Sequence, residues 1–491
     1  MSHPRIDQDE ASLLRREAHQ AMLDNGFQPD FSESAMAQAR ASADTPPAAD
    51  GVRDLRQLLW SSIDNDDTKD LDQLEYAERV ADGATRILIA VADVDATVPK
   101  DSPIDEHASA NTTSVYTGVA TFAMLPERLS TDLTSLREGV DRAAVVISFV
   151  VAPDGTTSAH EVYRALVHNR GQLAYNSAGA WLEAKGPAPA KVAASTELQE
   201  QLRMQNDAAQ AMRKHRHEAG ALDLETIEAT PVMAGGKVVE LALTLKSKAR
   251  ELIEDFMIGA NGAMAGFLEA RGVSSIRRVV KTPERWNRIV ALAVALGDTL
   301  PEVADARALN DFLDRRRATD PDHFPDLSLS VVKLMGPGEY ALEKPGEHGV
   351  GHFGLAVQDY THSTAPNRRF ADLVTQRLVK ATMSGVAAPY SDTDLAEIAG
   401  RCTLKENDAR KVERLMRKKA AAAMLDDQIG KSFDAIVTGA SDKGTYVRLI
   451  APPVEGRVVK NFRGLDVGDR TTVKLIGVNE RKGFIDFERR L

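Results

Sequence analysis

Five aspartates, Asp64, Asp66, Asp67, Asp70 and Asp72, fall within nine residues of the stretch SSIDNDDTKDLDQLEY, residues 61–76. Carboxylates this dense repel one another, so they make a poor core and a natural seat for a cation. Their oxygens suit hard divalent ions such as Mg²⁺, Mn²⁺ or Ca²⁺. Two other readings fit the same residues. A run of acids can be a solvated loop. Asp64, Asp66, Thr68 and Asp70 also take alternating ligand positions of a calcium loop, with Glu75 at the bidentate place, but Lys69 stands where the sharp turn wants glycine. The elements that must hold the acids lie on either side. Leu58, Leu59, Trp60 and Ile63 precede the cluster, and the strand-like run TRILIAVADV, residues 85–94, follows it. The acids are expected at the edge of a folded sheet.

A chain of 491 residues has room for roughly two to four domains. Its apolar fraction of 43% is ordinary for a globular protein. No apolar run approaches the ~18 residues of a membrane-spanning helix. The N-terminus has no apolar signal core, so a cytoplasmic location is the default expectation. Cys402, the single cysteine, excludes an internal disulfide and a cysteine-based zinc site, and is expected as a packed small side chain at a helix start. With 61 basic and 72 acidic residues the net charge is −11. Any contact with nucleic acid therefore needs a local basic channel.

In chain order, residues 10–25 read as an amphipathic helix carrying Leu14, Ala18, Ala21 and Met22 on one face, with Gly26 as its stop. A polar, Ala- and Pro-rich stretch from 32 to 51 reads as a linker or loosely held arm. Residues 52–385 read as one large mixed α+β domain. Runs 143–151 and 159–167 flank Pro153-Asp154-Gly155 as a hairpin, and helices are expected near 196–218, 247–270, 284–298 and 366–383. Residues 386–430 form a helical connector, on which Arg410, Arg414, Arg417 and Lys418 recur at one-turn spacing, either as an RNA contact or as a solvated face paired with Glu406 and Glu413. Residues 431–491 carry five short strand-like runs separated by turn residues, the pattern of a small oligonucleotide-binding barrel. Tyr446, with Lys443 and Arg448 nearby, is its candidate stacking surface, the other reading being a core aromatic.

A second stretch gives the aspartates a partner. Residues 351–377 read GHFGLAVQDYTHSTAPNRRFADLVTQR. Pro366 suits a turn or first helical position, which places Arg368 and Arg369 near a helix N-terminus, and both features favour phosphate. The chain here resembles the RNB family of ribonucleases. That family's acidic motif is an Asp followed by a spaced Asp-x-Asp-Asp. Asp64, Asp70 and Asp72 match its first three acids, and Gln73 stands at the fourth. GHFGLA, YTHSTAPNRRFADL and QR follow the second family signature, with Ala365, Asn367, Phe370 and Gln376 as departures. SPIDEHA, TSVY, MLPERLS and SLREGVDR are further family-like phrases, in family order, over residues 55–385. DKGTYVRL, EGRVV, DVGDRTTVKLIGV and KGFIDF resemble the S1 RNA-binding domain.

The resemblance implies hydrolysis of single-stranded RNA from its 3′ end to nucleoside 5′-monophosphates, with Mg²⁺ or Mn²⁺ and no DNA substrate. It implies a metal site of Asp64, Asp70, Asp72 and Gln73, with Asp72 and Arg368 as catalytic residues. It implies RNA contacts at Tyr116, Tyr175, Glu254 and Arg369. Independently, Glu254 and Asn261 share one polar line on an otherwise apolar helix, where a carboxylate could accept from a ribose 2′-hydroxyl. Gln73 can ligate Mg²⁺ but brings no charge, and Asp66, Asp67 or Asp93 would compensate. The alternative is a catalytically weak RNA-binding protein on the same fold. His348, His352 and His362 lack a companion ligand set for zinc. Ribonucleases II and R carry cold-shock barrels ahead of this domain, whereas here a helix and arm, residues 1–51, stand there. A weaker grip on long RNA is expected, and the sequence names no protein partner.

Overall fold

The computed structural model describes residues 7–43, 51–225, 228–234, 237–244, 246–321, 323–347, 349–441 and 444–490. Its centre is a curled sheet of β1 (Trp60–Asp64), β2 (Gln73–Arg79), β3 (Thr85–Ala92), β4 (Asp141–Val151) and β5 (Thr157–Ala174). β2 runs antiparallel to β1 and β3, and β3 to β4. β5 is 18 residues long, so its first part pairs antiparallel with β4 and its last part parallel with β1, closing the sheet on itself. Every residue of β3 but Arg86 is buried, as its unbroken apolar run requires. The β4–β5 turn is the expected Pro-Asp-Gly hairpin. Gly155 has φ +86°, and a Cβ on it would lie 2.0 Å from the Ala211 carbonyl oxygen, so the turn needs glycine for both backbone and space.

The helices that matter to the site are α1 (Asp7–Asp24), α2 (Glu33–Ala41), α3 (Thr196–Glu218), α4 (Lys248–Glu269), α5 (Phe370–Met383) and α6 (Asp392–Leu425), of which α2 to α6 give side chains to the core of the sheet. The stretch expected as a linker holds α2 instead. Ser32 caps it by accepting from Ala35 N at 3.2 Å, and Ala35 and Ala39 enter the main core. Small alanines at i and i+4 let this polar-looking segment pack closely, a signal that its composition hid. Residues 44–50, with both prolines of that stretch, lie outside the described residues. Cys402 is buried as a small side chain, but in the middle of α6, whose start is fixed earlier by the Ser391–Asp394 capping box. The apolar face of α1 packs with Val412, Met416 and Ala420 of α6, so the N-terminal arm is docked.

Strands β6 (Ser432–Ser441), β7 (Gly444–Leu449), β8 (Glu455–Lys460), β9 (Arg470–Asn479) and β10 (Phe484–Arg489) close a barrel in the order β6-β7-β8-β10-β9. Ala421, Ala422 and Leu425 from the end of α6 join its core. No described helix is long and apolar enough to cross a membrane.

Candidate active site

β1 ends on Asp64 and β2 begins on Gln73, so the acidic loop is pinned by two central strands. Asp64, Asp70 and Gln73 face one cleft of about 360 Å³, together with Tyr116, Tyr175, Arg250, Thr364 and Arg368. Asp64 Oδ1 accepts from Asn65 N at 2.7 Å and Thr68 Oγ1 at 3.0 Å, and burial raises its carboxyl above the usual range. Asp70 Oδ2 accepts from the Tyr116 hydroxyl at 3.1 Å. Asp66 turns away to accept from Asn176 Nδ2 at 3.1 Å. The alternating ligands of a calcium loop are thereby split, which removes that reading.

Asp72 behaves differently from its neighbours. It is 2% exposed, and its two oxygens accept from Asn367 N at 3.0 Å and Arg368 Nε at 3.2 Å. It anchors the arginine rather than lining the cleft, which corrects its expected place among the metal ligands. Burial pushes its carboxyl up to about 7, against the opposing pull of Arg368 and the Asn367 N–H. Arg368 itself keeps 45% of its side chain exposed. With Tyr116 it forms the wall between this cleft and a second cavity of about 220 Å³.

Arg369 points into that second cavity and pairs with Asp372 Oδ1 at 2.7 Å. The helix expected from 366 starts four residues later, at Phe370. Arg368 N and Arg369 N instead bond to Ala365 O in a turn, and the two adjacent arginines diverge: Arg368 borders both cavities, and Arg369 lines only the second. Tyr175 lies in the cleft under the guanidinium of Arg250, 4.3 Å from its ring centroid. Arg250, which also donates to Asn65 Oδ1 at 3.0 Å, was missed by sequence reading. Its signal was its place one turn before Ile253 and two before Met257, which line the same cleft. Glu254 does not line it. Its carboxylate approaches Arg213 of α3 at 3.6 Å, and its supposed partner Asn261 is buried, accepting from Ser363 N and Oγ at 2.8 Å each. The neighbouring Asp255 is buried between Arg213 and Arg216.

None of the three expected substitutes for the missing charge at Gln73 serves. Asp93 is committed to Lys380 at 2.6 Å and Arg164 at 3.6 Å, Asp66 to Asn176, and Asp67 does not line the cleft. Glu75 was missed. It is 0% exposed and neither of its oxygens has a hydrogen-bond partner. Burial, with the nearby Asp64 adding to it, holds its carboxyl well above the usual range.

Among the described residues no three Asp, Glu, His or Cys side chains close into a metal cage. The donors in the cleft still fit Mg²⁺ or Mn²⁺, because such ions are usually held by one or two carboxylates, with water and substrate phosphate completing the shell. Asp64 and Asp70 are the two carboxylates, and Gln73 adds an amide oxygen. His362 Nδ1 lies 2.8 Å from the Tyr340 hydroxyl and His352 Nδ1 accepts from Leu355 N at 3.1 Å. His348 lies outside the described residues.

On the barrel, Tyr446 is 47% exposed, which removes the core reading. Lys443 lies outside the described residues. Arg448 is not at the surface expected for it. It forms a two-pronged pair with Asp326 of the helix Phe324–Met335, Nη1 to Oδ1 at 2.8 Å and Nη2 to Oδ2 at 3.3 Å.

An RNB domain family model matches residues 52–385, and one for the RNase II-type exonuclease C-terminal S1 domain matches 431–490. The chain belongs to the RNB family. This RNB chain is 27% identical to Ribonuclease R 1 of Lactococcus lactis subsp. lactis, over 94% of its own length and 59% of that protein. It thus spans about three-fifths of the length of the curated relatives it matches. Its fold overlays RNase R of Mycoplasma genitalium in complex with ribose methylated single-stranded RNA, with a TM-score of 0.87, 22% identity, and coverage of 98% of this chain and 78% of that one. It also overlays yeast Ssd1, described as a pseudonuclease, with a TM-score of 0.71, 16% identity, and coverage of 90% and 55%.

Proposed function

We propose that this RNB protein is a hydrolytic 3′–5′ exoribonuclease that degrades single-stranded RNA to nucleoside 5′-monophosphates, with Mg²⁺ or Mn²⁺ held by Asp64, Asp70 and Gln73. The observation that carries this reading is the convergence of two carboxylates, an amide, an open arginine and two tyrosines in one cleft of an RNB domain. When bound there, the divalent ion supplies the Lewis acidity that attack of water on a phosphodiester needs. Arg368 is set to neutralise charge that develops on the phosphate. Its anchor, Asp72, holds the guanidinium before substrate arrives, so little reorganisation is needed. Tyr116 and Tyr175 offer ring faces to terminal bases, and Arg250 stiffens the second ring. Tyr446 would receive the strand farther from the cleft. An RNase R neighbour was solved with single-stranded RNA, and this chain is proposed to use the same class of ligand.

A second reading, an RNA-binding protein without hydrolysis, is favoured by Gln73, which brings no charge, and by the likeness to a pseudonuclease. A time course on 5′-labelled single-stranded RNA separates the two. Stepwise shortening from the 3′ end with Mg²⁺, abolished by EDTA, absent on matched DNA and reduced at least ~100-fold in Arg368→Ala, is the expected result. Intact RNA that shifts on a native gel would overturn the exoribonuclease and leave the binder.

A further inference from the structure

Side chains alternate along β2, so Gln73, Glu75 and Ala77 share one face. Gln73 opens to the cleft, and Glu75 lies one step deeper on the same face. Its cross-strand neighbour on β1 is Ser61, also fully buried, whose hydroxyl likewise has no hydrogen-bond partner. On the other side Glu75 faces Ile89 of β3, and α3 packs nearby: a Cβ on Gly171, which pairs with Ser61, would meet Leu198 at 3.3 Å, while Gln201 spends its amide on the backbone N–H and C=O of Ala77. The ionisable groups within electrostatic reach of Glu75 are Asp64 and Tyr175, and both line the cleft. A carboxylate sealed in the interior with no side-chain partner, and at most its own backbone N–H for relief, carries a heavy desolvation cost, which a nearby cation offsets. Asp72, Asp93, Asp255 and Asp372, also sealed in the interior, each have a lysine or an arginine beside them. No lysine or arginine approaches Glu75 among the described residues.

We propose that Glu75 is the displaced fourth acid of the site, a positioning residue that stands behind Gln73 and supplies the negative charge that Gln73 lacks toward a divalent cation at Asp64, Asp70 and Gln73. Gln73 suits the intermediary role because an amide has two ends. Its oxygen can face the cation while its NH₂ donates back toward the Glu75 carboxylate, so the buried charge orients and polarises the amide. Ser61 offers a hydroxyl donor to the other carboxylate oxygen. The exchange of Asp for Gln at 73 and the presence of Glu at 75 are then one adaptation, in which the charge moves two residues along the strand and one layer inward. The inference rests on the cleft being a metal site, as proposed above.

The test measures Mn²⁺ binding to the full chain by electron paramagnetic resonance, with Mg²⁺ calorimetry beside it, for wild type, Glu75→Gln, Gln73→Asp and the double variant. Glu75→Gln is expected to weaken Mn²⁺ at least ~10-fold while leaving the thermal midpoint in EDTA unchanged or raised, because the amide matches the shape of the acid and brings no charge into the interior. A merely structural glutamate would lower that midpoint and leave the affinity of the remaining folded protein intact. Gln73→Asp in the Glu75→Gln background is expected to restore affinity to within about threefold of wild type. Wild-type affinity in Glu75→Gln, or no rescue by Gln73→Asp, overturns the role of Glu75 while leaving the exoribonuclease reading in place. A wild-type chain that binds no Mn²⁺ and cuts no RNA overturns both.

Discussion

Asp72 and Arg368 meet across 296 positions of chain, whereas Tyr446 sits in a barrel whose strands all lie within residues 432–489. In the cleft, burial sorts residues of one type into different roles. Asp64 and Asp70 stay open to the cavity, Asp72 is sealed under an arginine, and Glu75 is sealed with nothing. In the barrel, strand alternation does the sorting. Val447 and Leu449 point inward, and Tyr446 and Arg448 share the outer face of β7. Even there a distant partner intervenes, because Asp326 covers Arg448 and leaves Tyr446 free. The cleft depends on long-range closure for its chemistry, and the barrel depends on it only for docking.

Four measurements sharpen or break that contrast. Asp72→Asn keeps the shape of the anchor and removes its charge, so RNA hydrolysis should fall by about 10³-fold while a native-gel shift of RNA persists. Retained turnover would mean that Arg368 needs no anchor. Asp326→Ala leaves Arg448 buried without its partner and should lower unfolding stability by about 3 kcal/mol in urea melts. It should also weaken binding of long RNA more than of a trinucleotide, because the barrel loses its seat.

Acid should act on one region and spare the other. His107 is buried against Phe31, with ring centroids 4.2 Å apart, and burial lowers its pKa to about 4 from the unperturbed 6.5. Protonation thus favours the unfolded chain. The stabilisation is complete above pH 6.5 and is lost as the pH falls toward 4, by about 3 kcal/mol. Residues 431–491 contain no histidine, so between these pH values the signal of the larger domain should decay before that of the barrel, and His107→Gln should flatten the slope. Simultaneous loss in both regions would show that they unfold as one unit. The smallest effect belongs to Tyr446→Ala. It should weaken single-stranded RNA by about 5- to 10-fold in fluorescence anisotropy, the worth of one stacked base, and leave kcat on a short oligomer unchanged.

Local patterns were read well. The five strand-like runs expected in residues 431–491 are the five strands of the barrel, and the helices at 196–218 and 247–270 almost coincide with α3 and α4. The acidic cluster was correctly placed beside a sheet. Helix starts were less legible where a turn intervened, as at Pro366, and α2 was hidden because its signal was two small alanines rather than an apolar stripe. Glu254 and Arg250 lie on one helix, one turn apart, and periodicity could not say which would face the cleft. That depended on where α3 placed Arg213, which draws Glu254 away.

What the sequence by itself determined was the inventory: the strands, the helices, and the residue types able to bind metal, phosphate and bases. These follow from alternation, helical period and side-chain chemistry, all of which act over a few residues. Only the tertiary structure decided which acid faces the cleft, which holds an arginine and which lacks a side-chain partner, and which barrel residue stays exposed rather than meeting the neighbouring domain. Those outcomes depend on desolvation and on partners hundreds of positions away, and neither is written in the spacing of residues along one strand.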